Sequence, residues 1–256
     1  MPTNGKVVLE TKDIEKHFGG IRAVDKVSIK LYKNEIIAIV GDNGAGKSTF
    51  IKCITGAHAK DGGSIFLDGK LVDIRNTQDS RMLGIETVYQ DKGLISTLDA
   101  PSNLFLGREK IRGNLLGIIL RMLDSKYMRD ETEILLEKIG VHLRDIVSPV
   151  SSLSGGQQQS VAVGRAIYWS AKILIFDEPT NNLGVKEQHR AIELIKNIRD
   201  THPEVSIIVI THNLYHVFEL VDRIFIMRNG KLIGVKEKVK TNRNEIVSLI
   251  TGLSEL

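Results

Sequence analysis

Cysteine is almost missing from this chain: Cys53 is the only one in 256 residues, so no intramolecular disulfide exists and a reducing compartment fits. Lying among Phe50, Ile51 and Ile54, Cys53 reads first as a small buried hydrophobe and second as a reactive thiol. Long basic tracts are missing too. No run of five Lys or Arg occurs and the formal net charge is only +4, so nucleic acid has no compositional support as a partner. No apolar run approaches the roughly 20 residues that cross a bilayer, and the first residues carry no signal-peptide core. The chain is therefore expected to be soluble. What remains is ordinary globular material, 42% apolar and 26% charged, enough for one substantial domain or a domain with a subdomain.

One stretch stands out. Gly41-Asp42-Asn43-Gly44-Ala45-Gly46-Lys47-Ser48-Thr49 fits G-x-x-x-x-G-K-[ST]. It follows the apolar run Ile36 to Val40, which reads as a strand, and leads into Thr49 to Ile54, which reads as a helix. Glycines in that setting let successive backbone N–H groups turn inward around phosphate oxygens at the positive end of a helix. Lys47 is expected to reach the β- and γ-phosphates, and the Ser48 hydroxyl to sit on Mg²⁺. The competing reading, a glycine-rich turn without a ligand, leaves the strand-to-helix setting unexplained.

Taken in order, the first forty residues predict a β-rich lead-in of four short strands, over Lys6 to Glu10, Ile21 to Val24, Val27 to Leu31 and Ile36 to Val40. Lys16 to Gly20 interrupts them. There Phe18 reads equally as core or as an aromatic face for a purine. Ser64 to Lys70 predicts a strand and tight turn, and Ile85 to Tyr89 a strand ending at Gln90. Gln90 is either an exposed amide without a task or a group within reach of Mg²⁺ and the attacking water.

From about Ala100 to Pro149 the pattern turns helical, over Leu115 to Leu123 and Glu131 to Ile139, with Gly140 as a helix stop. Leu115 to Leu120 is the most apolar local run in the chain; packing within this subdomain is its first reading and a partner-facing patch its second. Ser154, ahead of Gly155, Gly156 and Gln157, predicts an N-cap and a second anion-ready helix start. Lys172 to Glu178 reads as a buried parallel strand ending in two acids. Strand alternation sends Asp177 and Glu178 different ways, Asp177 toward Mg²⁺ and Glu178 toward the attacking water. A helix is predicted over Val185 to Arg199, and a buried strand over Val205 to Ile210. His212 follows that strand, placed for a γ-phosphate, with a metal pair to His216 as a lesser reading because no third ligand accompanies them in sequence. Asn229-Gly230 predicts a hairpin turn, and a short helix over Glu245 to Ile250 ends the pattern.

Together these segments resemble the ATP-binding subunit of an ABC transporter along nearly the whole chain. Gly41 to Thr49 matches Walker A, Gln90 the Q-loop, Leu153 to Gln157 the LSGGQ signature, Ile173 to Glu178 Walker B with its glutamate, and His212 the switch histidine. The resemblance implies an α/β P-loop NTPase core with a mixed sheet, an N-terminal antiparallel β subdomain, and a helical subdomain over residues 100–149 within one domain, 1–256. It implies ATP and Mg²⁺ as cofactors. Phe18, Val24, Asn43, Gly44, Ala45, Gly46, Lys47, Ser48, Thr49, Ser154, Gly155, Gly156 and Gln157 would bind nucleotide. Ser48, Gln90 and Asp177 would serve the metal, and Glu178, His212 and Gln90 the chemistry. Two copies would pack head to tail, each ATP lying between the loop of one and the signature of the other.

Finer features are similar to the monosaccharide-importing branch, notably Asn103 to Glu109 and Glu178 to Glu187. Many members of that branch fuse two ATP-binding halves; this chain has one, which implies pairing with a second copy. Gly184 stands where many ABC proteins have Asp, so no role in hydrolysis carries over to that position. The implied protein is an ATPase at the cytoplasmic face of the membrane, joined to transmembrane permease subunits and, through them, to an external sugar-binding protein. The alternative is a soluble ABC ATPase of cluster assembly or translation.

Overall fold

The computed structural model describes residues 5–88, 93–169, 171–181 and 183–253. Expectations for Tyr89, Gln90 and Asn182 therefore lie outside the described residues. In chain order the elements are β1 (Val7–Phe18), β2 (Ile21–Val27), β3 (Lys30–Tyr32), β4 (Ile36–Val40), α1 (Lys47–Ile54), β5 (Gly62–Leu67), β6 (Lys70–Val72), α2 (Thr77–Met82), β7 (Ile85–Val88), α3 (Ala100–Leu104), α4 (Leu115–Ile119), α5 (Ser125–Lys138), α6 (Gly155–Tyr168), β8 (Ile173–Asp177), α7 (Val185–Thr201), β9 (Ser206–Ile210), α8 (Leu214–Leu220), β10 (Arg223–Arg228), β11 (Lys231–Glu237) and α9 (Arg243–Thr251). They fall into two compact units, residues 1–87, 171–179 and 202–256 in the first and residues 88–170 and 180–201 in the second.

The first unit is built on two sheets. In the larger, of order β11-β10-β4-β9-β8-β7, strands β10, β4, β9 and β8 run parallel and β11 antiparallel to β10. All five residues of β4 and of β9 are buried, as are the first four of β8. Their β-branched sequences, IIAIV, SIIVI and ILIF, suit strands covered on both faces. The smaller sheet, β2-β1-β5-β6 with β3 also paired to β1, is antiparallel throughout. Leu9, Ile14 and Ile65 from it share one core with Phe50 and Ile54 of α1 and with Ile39, Ile175 and Ile208. The fold is thus a P-loop NTPase α/β core carrying an antiparallel β layer.

Two early expectations are corrected. Residues Lys16 to Phe18 do not interrupt the strands; they complete β1, with register shifts beside Lys16 and only Gly19 and Gly20 forming the turn into β2. Asp13, at φ 48, and the side chain of Asp61 supply what regular pairing lacks there, since Asp61 accepts from the His17 N–H at 2.6 Å and from Lys16 Nζ at 2.9 Å. The predicted strand Val27 to Leu31 is divided between β2 and β3, and Ile29 N–H donates to Thr11 Oγ1 between them. The Asn229-Gly230 turn is as expected, with φ of 50° and 77° at the two positions that a type I′ hairpin requires positive.

The second unit is helical. Leu104, Phe105, Met128 and Leu135 form its own small core, and Phe105 packs edge-on against Tyr168 and Trp169. Helix α5 stops at Gly140 (φ 76), whose N–H bonds Glu137 O. The buried stripe of α7 is Ala191, Ile192, Leu194, Ile195 and Ile198. The Leu115 to Leu120 run is the departure: only Leu115–Ile119 is helical and its leucines and isoleucines are more than half exposed, so it does not pack within the subdomain. Of the five helical residues only Gly117 is buried.

Candidate functional site

The parallel register of the larger sheet sets where the chemistry lies. Ile39 pairs with Ile210, and Ile210 with Asp177, so the loops after β4, β8 and β9 leave the sheet at one edge. Open α/β sheets bind ligands at the carboxyl ends of their strands.

The loop after β4 is shaped by glycines that tolerate no side chain. A Cβ on Gly41 would lie 2.2 Å from Met227 O, and one on Gly46, at φ 95, would lie 2.3 Å from Ala23 O. Asn43 and Gly44 stand exposed at the loop's crest, Ala45 is buried beneath, and Ser48 and Thr49 are half-buried in the first turn of α1. Gly46 is the N-cap and offers no side-chain acceptor, and no acid sits in the first turn. The leading amides of α1 are therefore left to whatever anion fills the loop. Lys47 is buried and turns its ammonium back across the loop, donating to Gly41 O at 2.7 Å and Asp42 O at 2.9 Å. Burial holds its pKa below the ordinary lysine value despite the opposing pull of Glu178, Asp42 and Asp177.

Asp177 and Glu178 leave the end of β8 beside this loop. Burial, then the neighbouring charge of Glu178, raises the pKa of Asp177, while Lys52, a hydrogen bond with Ser48 and Lys47 partly offset that rise. Asp177 Oδ1 is buried without a hydrogen-bond partner among the described residues, and so is Glu178 Oε2. Such orphaned carboxylate oxygens next to a serine hydroxyl are hard donors suited to Mg²⁺. The divergence of the two acids arises differently from the expectation. The strand ends at Asp177, and Glu178 is turned by a left-handed backbone, φ 52, pinned by its N–H to Ile210 O at 2.9 Å. That turn brings Glu178 Oε1 within 3.0 Å of His212 Nδ1. Among the described residues no group of three or more metal-ligating side chains contains His212 or His216, which leaves that pairing unsupported.

Phe18 ends β1 half-exposed, with the His58 ring edge-on at 5.5 Å and Lys16 Nζ 5.5 Å from its centroid. It is not core. Val24 is fully buried and packs in the unit's core. Asp61, which fixes Lys16 and His17 beside Phe18, was not legible in the sequence; it lies 43 to 45 residues from them with no motif around it.

In the second unit Ser154 is the N-cap of α6, and the capping box is complete: Ser154 Oγ accepts from Gln157 N–H, and Gln157 Oε1 accepts from Ser154 N–H at 3.0 Å. Gly155, Gly156 and Gln157 are half-buried. Ser154, Gly156 and Gln157 line a cleft of about 880 Å³ together with Arg144 and His189. Gly184 precedes α7, its N–H bonded by Glu187 Oε2 at 3.3 Å.

Comparison with known proteins gives the family. The ABC transporter family model matches residues 24–181. The chain is 41% identical over 247 residues to the xylose/arabinose import ATP-binding protein XylG of Sulfolobus acidocaldarius, covering 96% of this chain and 95% of that one. It is 41% identical over 249 residues to the fructose import ATP-binding protein FrcA of Rhizobium meliloti, covering 97% and 95%. Among solved structures, MJ1267, an ATP-binding cassette of an ABC transporter, superposes with a TM-score of 0.80 at 25% identity, over 95% of this chain and 98% of that one. The chain belongs to the ABC transporter family, as one of its ATP-binding ATPases.

Proposed function

We propose that this chain powers a membrane importer for a monosaccharide by binding and hydrolysing ATP between two copies of itself. The observation that carries the reading is the convergence of Lys47, Asp177, Glu178 and His212 at one edge of a parallel sheet, around a loop of inward-ready amides. Sugar import is supported by near-full-length relatives that are a xylose/arabinose and a fructose import ATP-binding protein.

In this reading Lys47 and the amides of Gly44 to Thr49 hold the β- and γ-phosphates, and Phe18 stacks on the adenine. Val24 belongs beneath that face, since its own side chain is buried. Ser48 and Asp177, with Gln90, would hold Mg²⁺, which when bound spreads the charge of the transferred phosphate. Catalysis of this type is mostly positioning and charge neutralisation. Glu178 accepts the proton of the attacking water at Oε2, the oxygen that no group among the described residues occupies. His212 holds the other oxygen and turns its outer edge to the γ-phosphate.

Ser154 to Gln157 of a second copy would close over the same ATP, so the working form is a nucleotide-bound dimer. The helical subdomain, residues 100–149, and the stretch after Gln90 would meet the permease, and the protein would lie on the cytoplasmic face of the membrane. Phosphate release on its own, raised when the chain is reconstituted with a co-purifying polytopic membrane protein, tests this. Soluble partners in place of that membrane protein would overturn the import reading.

A further inference from the structure

Residues 106–123 of the second unit run outside its core: every one is exposed except Gly117, and at the base Arg108 lies over the Trp169 ring at 4.6 Å. The excursion is nonetheless built. Arg112 N–H donates to Met122 O at 2.9 Å, Asp124 N–H to Lys110 O at 2.8 Å, and Ile111 bridges Leu123 antiparallel. Asn114 caps α4 by accepting from Gly117 N–H at 2.8 Å, and Met122 N–H closes the tip onto Gly117 O at 2.9 Å. A Cβ on Gly117 would lie 2.4 Å from Asn114 Oδ1, so the closure requires glycine. The projection satisfies its own backbone and needs no core beneath it.

At its tip, Leu115, Leu116, Ile118, Ile119 and Leu120 are 74%, 65%, 58%, 65% and 65% exposed. At about 100° per residue these positions sweep a little over half of the turn, and the remaining side is Gly117, buried against Asn114 and Arg112 of the projection itself. A broad apolar arc on a short element whose charges are cationic is the pattern of a segment that lies in a membrane interface. The charge pattern points the same way. Between residues 110 and 123 the only charged side chains are Lys110, Arg112 and Arg121, all cationic and all exposed. The nearest acid before them, Glu109, is turned back onto Gly107 N–H at 3.0 Å.

We propose that the 110–123 projection is a membrane-surface anchor, its tip among the acyl chains of an anionic leaflet and its three cations at the headgroups. It supplies a lipid contact beside the permease contact proposed for the rest of the helical subdomain, and it is separate from the nucleotide chemistry. One short apolar tip binds weakly and reversibly, which suits an accessory hold on a subunit that other contacts keep in place.

The test uses the whole chain without nucleotide or permease, sedimented with vesicles of phosphatidylcholine alone or with a third phosphatidylglycerol. The expected result is binding to the anionic vesicles that falls with added salt, little binding to neutral ones, and a loss of about tenfold or more in the Leu116→Ser, Ile119→Ser double variant. Both side chains are exposed, so its melting curve should match wild type. The pair Leu115→Gln and Leu120→Gln repeats the test should the first fold poorly. Wild type that ignores anionic vesicles, or double variants that bind them as well as wild type, would overturn the anchor. So would a nucleotide-independent wild-type dimer that both variants lose, because the patch would then belong to a second copy.

Discussion

Replacing Glu178 by Gln isolates the proton from everything else the residue does. The amide keeps the length and volume of the side chain, and both residues meet the same left-handed backbone at φ 52, so that strain cancels in the comparison. The contact to His212 at 3.0 Å is partly solvent-exposed, His212 at 56%, and such pairs contribute about 1 kcal/mol or less. Stability should therefore shift by no more than about 1 kcal/mol. The general-base contribution is larger, about 10² to 10⁴ in rate, or roughly 3 to 5 kcal/mol of barrier. Turnover should collapse while ATP affinity stays. Because His212 acts on Glu178 Oε1, the two should be coupled: His212→Ala costs less in the Glu178→Gln background than in wild type, what remains there being its γ-phosphate contact. Single-turnover phosphate release and equilibrium nucleotide binding, measured for the four proteins of this cycle, decide it. Near-normal turnover in Glu178→Gln, or additive losses, would refute the assigned roles.

Three further outcomes are expected. Asp177 has a raised pKa when folded, so it binds protons in the folded state that the unfolded chain has released; its ionisation lowers stability as pH climbs from the unfolded carboxylate pKa through the higher folded one. Asp177→Asn should thus melt higher than wild type at neutral pH without nucleotide, by calorimetry, yet lose Mg²⁺-dependent turnover. Gly46→Ala places a Cβ 2.3 Å from Ala23 O at φ 95, so a left-handed penalty of about 1–2 kcal/mol plus the displaced strand should lower the denaturation midpoint and weaken ATP binding. Cys53 is buried, with a thiol pKa pushed up to about 11; it should resist maleimide in the native protein at neutral pH and react as soon as the chain is unfolded.

Where side-chain periodicity and backbone chemistry coincide, the sequence was a sufficient guide. The runs Ile36 to Val40 and Ser206 to Ile210 are buried strands because short runs rich in β-branched residues suit strands covered on both faces, and Ser154 and Gly140 bound helices because they supply a cap oxygen and a positive φ. What could not be read depends on groups far apart in the chain. The left-handed turn at Glu178 follows from Ile210 O, 32 residues on, and the completion of β1 through Phe18 rests on Asp61. The Leu115 to Leu120 run misled for the opposite reason: composition alone promised burial, but Asn114 and Gly117 close the turn into a self-contained projection.

The shared site is tested most directly by mixing two damaged chains. Lys47→Ala removes the ammonium held inside the phosphate loop, and Ser154→Arg blocks the start of α6. Neither alone should form an ATP-stabilised dimer by light scattering. A head-to-tail mixed pair carries both lesions in one interface and an intact loop facing an intact signature in the other. Mixing should therefore restore an ATP-dependent dimer. If wild type dimerises readily with ATP but the mixture never does, the two phosphate-ready helix starts do not meet across copies.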